Sequence, residues 1–179
     1  MAEAMRRVCT VADRPGMRRR HWLAAASALL VAGCGFELRR APELHFRTIA
    51  LSGFAPRSPL LAELRTSIDA TATTKVVEAI TQAQVVLEAL GDVRERSVVA
   101  STAAGQVREL ELRIRFDFRL RTAGGRELIA PTELLLTRDM SYSESVALAK
   151  EQEEAALFRA MQSDIVAQVM RRLAAVKAI

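Results

Sequence analysis

"ELELRIRFDFRLRT", residues 109–122, alternates without a break. Leu110, Leu112, Ile114, Phe116, Phe118 and Leu120 are apolar, while Glu111, Arg113, Arg115, Asp117, Arg119 and Arg121 are charged. Side chains along a strand point to opposite faces in turn, so this period of two predicts a strand with one buried and one wet face. The next residues, Ala123-Gly124-Gly125-Arg126, predict a hairpin turn. "RELIAPTELLLTRDMSY", residues 126–142, reads as the returning strand. Pro131 lacks an N–H for the ladder, so the return is expected at an edge or at a bulge. Upstream, "AQVVLEALGDVRERSVVAST", residues 83–102, reads as extended with a polar break at Gly91-Asp92.

Further upstream, "FRTIAL", residues 46–51, predicts a short strand ended by Ser52-Gly53. Ser58 is a suitable N-cap and Pro59 suits a first helical position, because the proline lacks an N–H that would be unpaired there anyway. Leu60, Leu61, Leu64 and Ile68 share one helical face, giving a predicted helix over 59–71. From Ser143 the pattern is helical almost to the C-terminus, with Ser141 and Glu144 as a prospective capping box. Leu157, Met161, Ile165, Val169, Leu173 and Val176 form its apolar stripe. The order is β-α-β-β-β-α. This is a single α+β domain with a mostly antiparallel, four-stranded sheet and two helices on one face.

The N-terminal region has a different character. Arg18, Arg19 and Arg20 precede an apolar run from Trp22 to Gly33, the order of a secretory signal. The run is well short of the roughly 20 residues that a spanning helix needs. It ends in Val31-Ala32-Gly33-Cys34, similar to a bacterial lipobox, in which the cysteine is acylated and the peptide is cut before it. Residues 1–33 are therefore read as a signal peptide, with Met17 a candidate true start. Residues 34–45 are read as a lipidated segment and 46–179 as the α+β domain. By resemblance to lipoprotein sorting rules, Gly35 in place of an aspartate favours the outer membrane over the inner one. The competing reading of Cys34 is a buried free thiol in an uncleaved anchor.

The 179 residues carry a net charge of +5, with 26 Lys+Arg and 21 Asp+Glu. Six of those bases and two of those acids precede residue 35, so the remainder is close to neutral. The positional balance removes the electrostatic case for nucleic acid. Cys9 and Cys34 are the only cysteines, too few for a disulfide framework or a cysteine metal site. His45 is the sole histidine after the leader and cannot build a metal cluster alone. The chain has no nucleophile elbow, no P-loop and no dinucleotide fingerprint. Glu151, Glu153 and Glu154 read as a solvated helix face. The expectation is a protein without catalytic residues, metal or cofactor.

The mature chain resembles the LptE family of lipopolysaccharide-assembly lipoproteins. The resemblance rests on Cys34-Gly35-Phe36-Glu37-Leu38-Arg39, on Gly105-Gln106 before the long strand, and on residues 138–172. Within that last block, Ala147-Leu148-Ala149-Lys150 and Met161-Gln162 with Arg171-Arg172-Leu173 carry most of it. The resemblance implies a mixed four-stranded sheet with two helices and a non-enzymatic role. It also implies a seat inside the LptD β-barrel and contact with lipopolysaccharide at the outer membrane. Matching the family motif points to Lys150, which otherwise has Glu151 or Glu154 as a local partner. A basic residue that the family can place before Gly-Gln is missing, since Thr102-Ala103-Ala104 stands there. Arg108, Arg121 and Arg126 are the remaining candidates for cationic contact. The arginines of 113–121 form either a solvated face or one that meets the polar lumen of a barrel. The rival readings are another lipid-anchored, periplasm-facing adaptor of a lipid-transport system, and a lipid-anchored enzyme.

Overall fold

A computed structural model describes residues 42–177. The signal peptide, Cys34 and the first part of the lipidated segment lie outside them. The elements are β1 (Thr48–Ser52), α1 (Pro59–Asp69), β2 (Lys75–Val77), β3 (Val85–Ser101), β4 (Val107–Thr122), β5 (Glu127–Ser141) and α2 (Ala147–Ala175). Short 3₁₀ turns occupy Ile80–Gln82 and Glu144–Val146.

All six apolar residues of the opening stretch are buried. Phe116 lies between two aromatic neighbours, stacked with Phe54 at 5.9 Å and with Phe118 at 5.4 Å. Over this face pack Leu60, Leu64 and Ile68 of α1 and Met161, Ile165, Val169 and Leu173 of α2, in one core. Both helices therefore cover the same side of the sheet, as the pattern predicted. A small second cluster of Ala50, Ala83 and Val86 lies apart from it.

The sheet has five strands in the order β2-β1-β3-β4-β5, a correction to the four expected. The extra strand is Lys75–Val77, too short for any period to register. The mostly antiparallel expectation also needs correcting. β1 runs parallel to both of its neighbours, and only β3, β4 and β5 form an antiparallel meander. The cause is α1, since parallel neighbours require a crossover between them and this helix supplies it. β1 starts two residues later than expected, because Leu44 and Phe46 enter the core as a lead-in.

α1 begins as predicted. Ser58 Oγ accepts the Leu61 N–H at 3.3 Å and itself donates to Asp92 at 2.9 Å. The helix closes at Asp69, and just beyond it the Thr71 hydroxyl donates to the Ile68 carbonyl at 2.6 Å. The capping box does not form. Ser141 is the last residue of β5, and α2 begins at Ala147 with no side-chain cap. Pro131 does sit on an edge strand, beside a register shift between Phe118 and Leu120.

Two ends of the sheet follow from the register. Ala123 N–H donates to Gln84 O, Gln84 N–H to Thr48 O, and Thr48 is level with Lys75. The β4–β5 turn and the starts of β1 and β2 thus share one end, called proximal here. The β3–β4 turn, the end of β5 and the start of α2 share the distal end.

Candidate functional site

The sheet face opposite the helices is dense in charge. By register it carries Arg113, Arg115, Arg119 and Arg121 among Glu88, Glu95, Glu109, Glu111, Asp117, Glu133 and Asp139. Acids outnumber bases, so the face as a whole is acidic. The arginines are held within it: Arg113 to Glu111 at 2.7 Å, Arg115 to Asp117 at 3.7 Å, and Arg119 and Arg121 both to Glu88 at 2.8 and 3.4 Å. The Arg119 hydrogen bond holds the Glu88 carboxyl below the usual carboxylate range, with Arg121 adding to the effect and burial opposing it. A carboxylate with a lowered folded pKa stabilises the fold above its unfolded pKa, near 4.3. That contribution is lost as pH falls through the folded value. Glu88→Gln is therefore expected to unfold at lower urea than the parent at pH 7. The difference should shrink as pH falls below about 4.3 and should vanish only once pH is below the folded value, where the parent residue is also neutral.

The helix side of β3 changes character at a bulge between Ala89 and Gly91. Leu87 and Ala89 face the core, but the inserted residue resets the alternation. Asp92, Arg94 and Arg96 then stand opposite the buried Phe116, Ile114 and Leu112. These polar side chains reach the helices. Asp92 meets Ser58, Arg94 meets Gln162, and Arg96 meets Glu154 at 3.1 Å. Gln162 is itself buried, and it also donates to the Pro59 carbonyl at 3.2 Å and to Glu63. Around them lies a groove of about 760 Å³. Arg94, Arg96 and Arg159 balance Glu63, Glu151 and Glu154 along it. Glu154 is consequently part of an ion pair rather than of a solvated helix face. Among the described residues, no buried side-chain polar atom lacks a partner. The groove is a satisfied clamp joining α1, α2 and β3.

The four cations expected to contact lipopolysaccharide do not converge. Lys150 and Arg108 lie at the distal end. Lys150 is largely covered, donating to Ser141 at 3.1 Å and pairing with Glu153 at 2.7 Å, not with Glu151 or Glu154. Arg108 lines a recess with Gln106, Ser143 and Glu144. Arg121 and Arg126 lie at the proximal end, and Arg121 is committed to Glu88. Along β4, Arg108 and Arg121 are about 43 Å apart at the usual rise per strand residue. No group of three or more His, Cys, Asp or Glu able to hold a metal occurs among the described residues.

The chain matches the family model described as "LptE: Lipopolysaccharide-assembly" over residues 46–173. Among solved structures it is similar to the uncharacterized lipoprotein B from Nitrosomonas europaea. The identity is 31%, the TM-score 0.68, and the match covers 79% of this chain and 91% of that one. The rare lipoprotein B from Shewanella oneidensis shares the fold at 24% identity and TM-score 0.60, covering 72% of this chain and 94% of the other. A minor lipoprotein from Acinetobacter baumannii does so at 21% identity and TM-score 0.60, covering 74% and 94%. Comparison with curated proteins gives no match.

Proposed function

The chain belongs to the LptE family of lipopolysaccharide assembly, and from that premise we propose that it works as an outer-membrane lipoprotein seated in a β-barrel partner, LptD. In this reading Cys34 is acylated after removal of residues 1–33, and the domain helps the barrel place lipopolysaccharide in the outer leaflet. Its role is non-catalytic.

The observation that carries the seat is the outer face of β3, β4 and β5. It is charged along most of its length, while the other face is closed by two helices. Barrel lumens of the porin kind are polar, so a charged sheet face suits one where an apolar face would not. The internal arginine pairs hold that face in a fixed pattern, and its excess acid calls for basic groups on the partner. Lipopolysaccharide contact, in this reading, belongs to the distal end, where Arg108 offers a cation for the lipid A phosphates and Lys150 adds one by exchanging Glu153 for a phosphate. Arg121 is spent on Glu88, and Arg126 stands at the other end of the hairpin.

The test is co-purification. Glu133 lies opposite Asp117, and Asp139 opposite Glu111, so both are like-charge neighbours in the ladder. Glu133→Lys with Asp139→Lys should leave thermal unfolding unchanged or slightly improved. The amount of barrel recovered with the tagged lipoprotein from detergent extract should fall roughly tenfold or more. Undiminished recovery with the doubly reversed face would remove this face as the barrel contact.

A further inference from the structure

Most cations along the sheet and the middle of α2 are held by carboxylates. Arg47, Lys75, Arg126, Arg172 and Lys177 are not, a state they share with Arg57, Arg108, Arg159 and Arg171. All five are exposed, and none has a carboxylate partner among the described residues. They come from β1, β2, the β4–β5 turn and the end of α2, yet all stand at the proximal end. Lys75 N–H donates to the Arg47 carbonyl at 2.9 Å, which places those two residues side by side. The chain of bonds through Thr48, Gln84 and Ala123 carries the rim across the sheet to the turn that holds Arg126. Arg126, Arg172 and Lys177 then line one recess of about 690 Å³, whose other walls include Leu128, Ile129 and Val176. Five strands at the usual spacing make this rim about 19 Å wide.

Helix geometry accounts for part of it. Arg172 and Lys177 lie at the C-terminus of α2, where cations complement the helix dipole. That reason does not extend to Arg47, Lys75 or Arg126. The acids at this end are Glu43, Asp69 and Glu127, and the Asp69 carboxylate already accepts the Val76 N–H at 3.4 Å. The described chain also enters here, with Leu44 and Phe46 buried just before β1. Seven residues lie between Cys34 and Pro42, eight chain steps with a contour of at most about 28 Å.

We propose that the proximal rim docks on the anionic phospholipid headgroups of the leaflet that holds the anchor. The cations meet the phosphates, and the aliphatic walls of the recess meet the top of the acyl region. At the mouth of the proposed barrel seat, docking by this end holds the proximal rim level with the anchored leaflet and leaves the distal end pointing through the lumen toward the outer leaflet. The orientation rests on the anchoring of Cys34 proposed above, whereas headgroup binding does not.

The test uses the full chain with Cys34→Ala, which removes the acylation site and leaves the leader's own lipid affinity as a constant background. Sedimentation with phosphatidylcholine vesicles is compared with sedimentation when about a third of the lipid is phosphatidylglycerol. Partitioning should be at least tenfold stronger on the anionic vesicles at low salt, and the preference should fade at 0.5 M salt, where charges are screened over about 4 Å. Adding Arg126→Glu, Arg172→Glu and Lys177→Glu should cut the preference at least tenfold, down to what the leader's own bases contribute, without changing binding to neutral vesicles. The same three sites changed to Gln should give an intermediate loss, so that a folding defect in the reversed variant does not pass for an effect. Equal partitioning on both vesicle types, or a preference undiminished in the reversed triple, overturns the proposal. So does a preference that appears only when lipopolysaccharide replaces phosphatidylglycerol at equal charge, since that assigns the rim to lipopolysaccharide. Barrel co-purification of the reversed triple, made with Cys34 intact, should match the parent, which separates this result from that of the outer sheet face.

Discussion

Phe116→Ala is expected to lower the unfolding free energy by about 3–5 kcal/mol. The residue lies near the middle of β4 and is fully buried, opposite Leu134 on β5. Its ring contacts two other phenylalanines and the core beneath the helices. Truncation would lose the transfer energy of the ring and leave a cavity that strands fixed on both sides cannot close. Its neighbour Arg115 points to the other face, half-exposed, with Asp117 at 3.7 Å. A pair at that exposure contributes little once solvent screening is counted, and Arg115→Ala is expected to cost under about 0.5 kcal/mol. Urea denaturation of the two variants with unchanged slopes gives the comparison directly. A larger loss for Arg115 would mean that the strand faces the other way.

That contrast was legible in the sequence because β4 keeps its period for its whole length. β3 was read only as extended, since a single inserted residue at the bulge reverses which side chains face the helices. On paper, Asp92, Arg94 and Arg96 fall at no recognisable face. In the fold they bind Ser58, Gln162 and Glu154, and they account for the groove. The helix register needed no such context: Ser58 caps α1, and Met161, Ile165, Val169 and Leu173 are buried as their spacing implied. β2 was missed because three residues cannot display a period, and the parallel pairing of β1 depends on a crossover that no local pattern encodes.

The cations show a similar limit. Lys150 stood out through its motif, but its ammonium is occupied by Ser141 and Glu153. Arg121 stood out through its strand, but Glu88 holds it. The exposed cations of the proximal rim come from four separate elements, with more than a hundred residues between Lys75 and Lys177 counting inclusively. Sequence spacing says nothing about such a grouping. Parallel pairing of β1 and β2 and the return of α2 over the sheet bring it together.

Gly53→Ala is expected to be the other severe change, with a loss of about 3 kcal/mol or more. Gly53 follows β1 at φ +79°, and a Cβ there would lie 2.2 Å from the carbonyl oxygen of Ala89. Two costs combine. A left-handed conformation costs an L-residue about 1–2 kcal/mol, and the oxygen that the methyl would strike belongs to the backbone of β3, so rotating a side chain cannot relieve it. Gly125 separates the two costs. It too is left-handed, at φ +92°, but nothing lies within 4 Å of its added Cβ. Gly125→Ala is therefore expected to lose only the conformational part, about 1–2 kcal/mol. The gap between the two variants measures the close approach of β1 to β3. The strike falls on Ala89, where the bulge begins, and the next residue after the glycine is Phe54, whose ring rests on Phe116. Pushing the strands apart would thus disturb the aromatic stack and the phase of Asp92, Arg94 and Arg96 together. Equal losses at Gly53 and Gly125 in urea titrations would show that the β1–β3 contact yields easily, and that the bulge is set by something other than this packing.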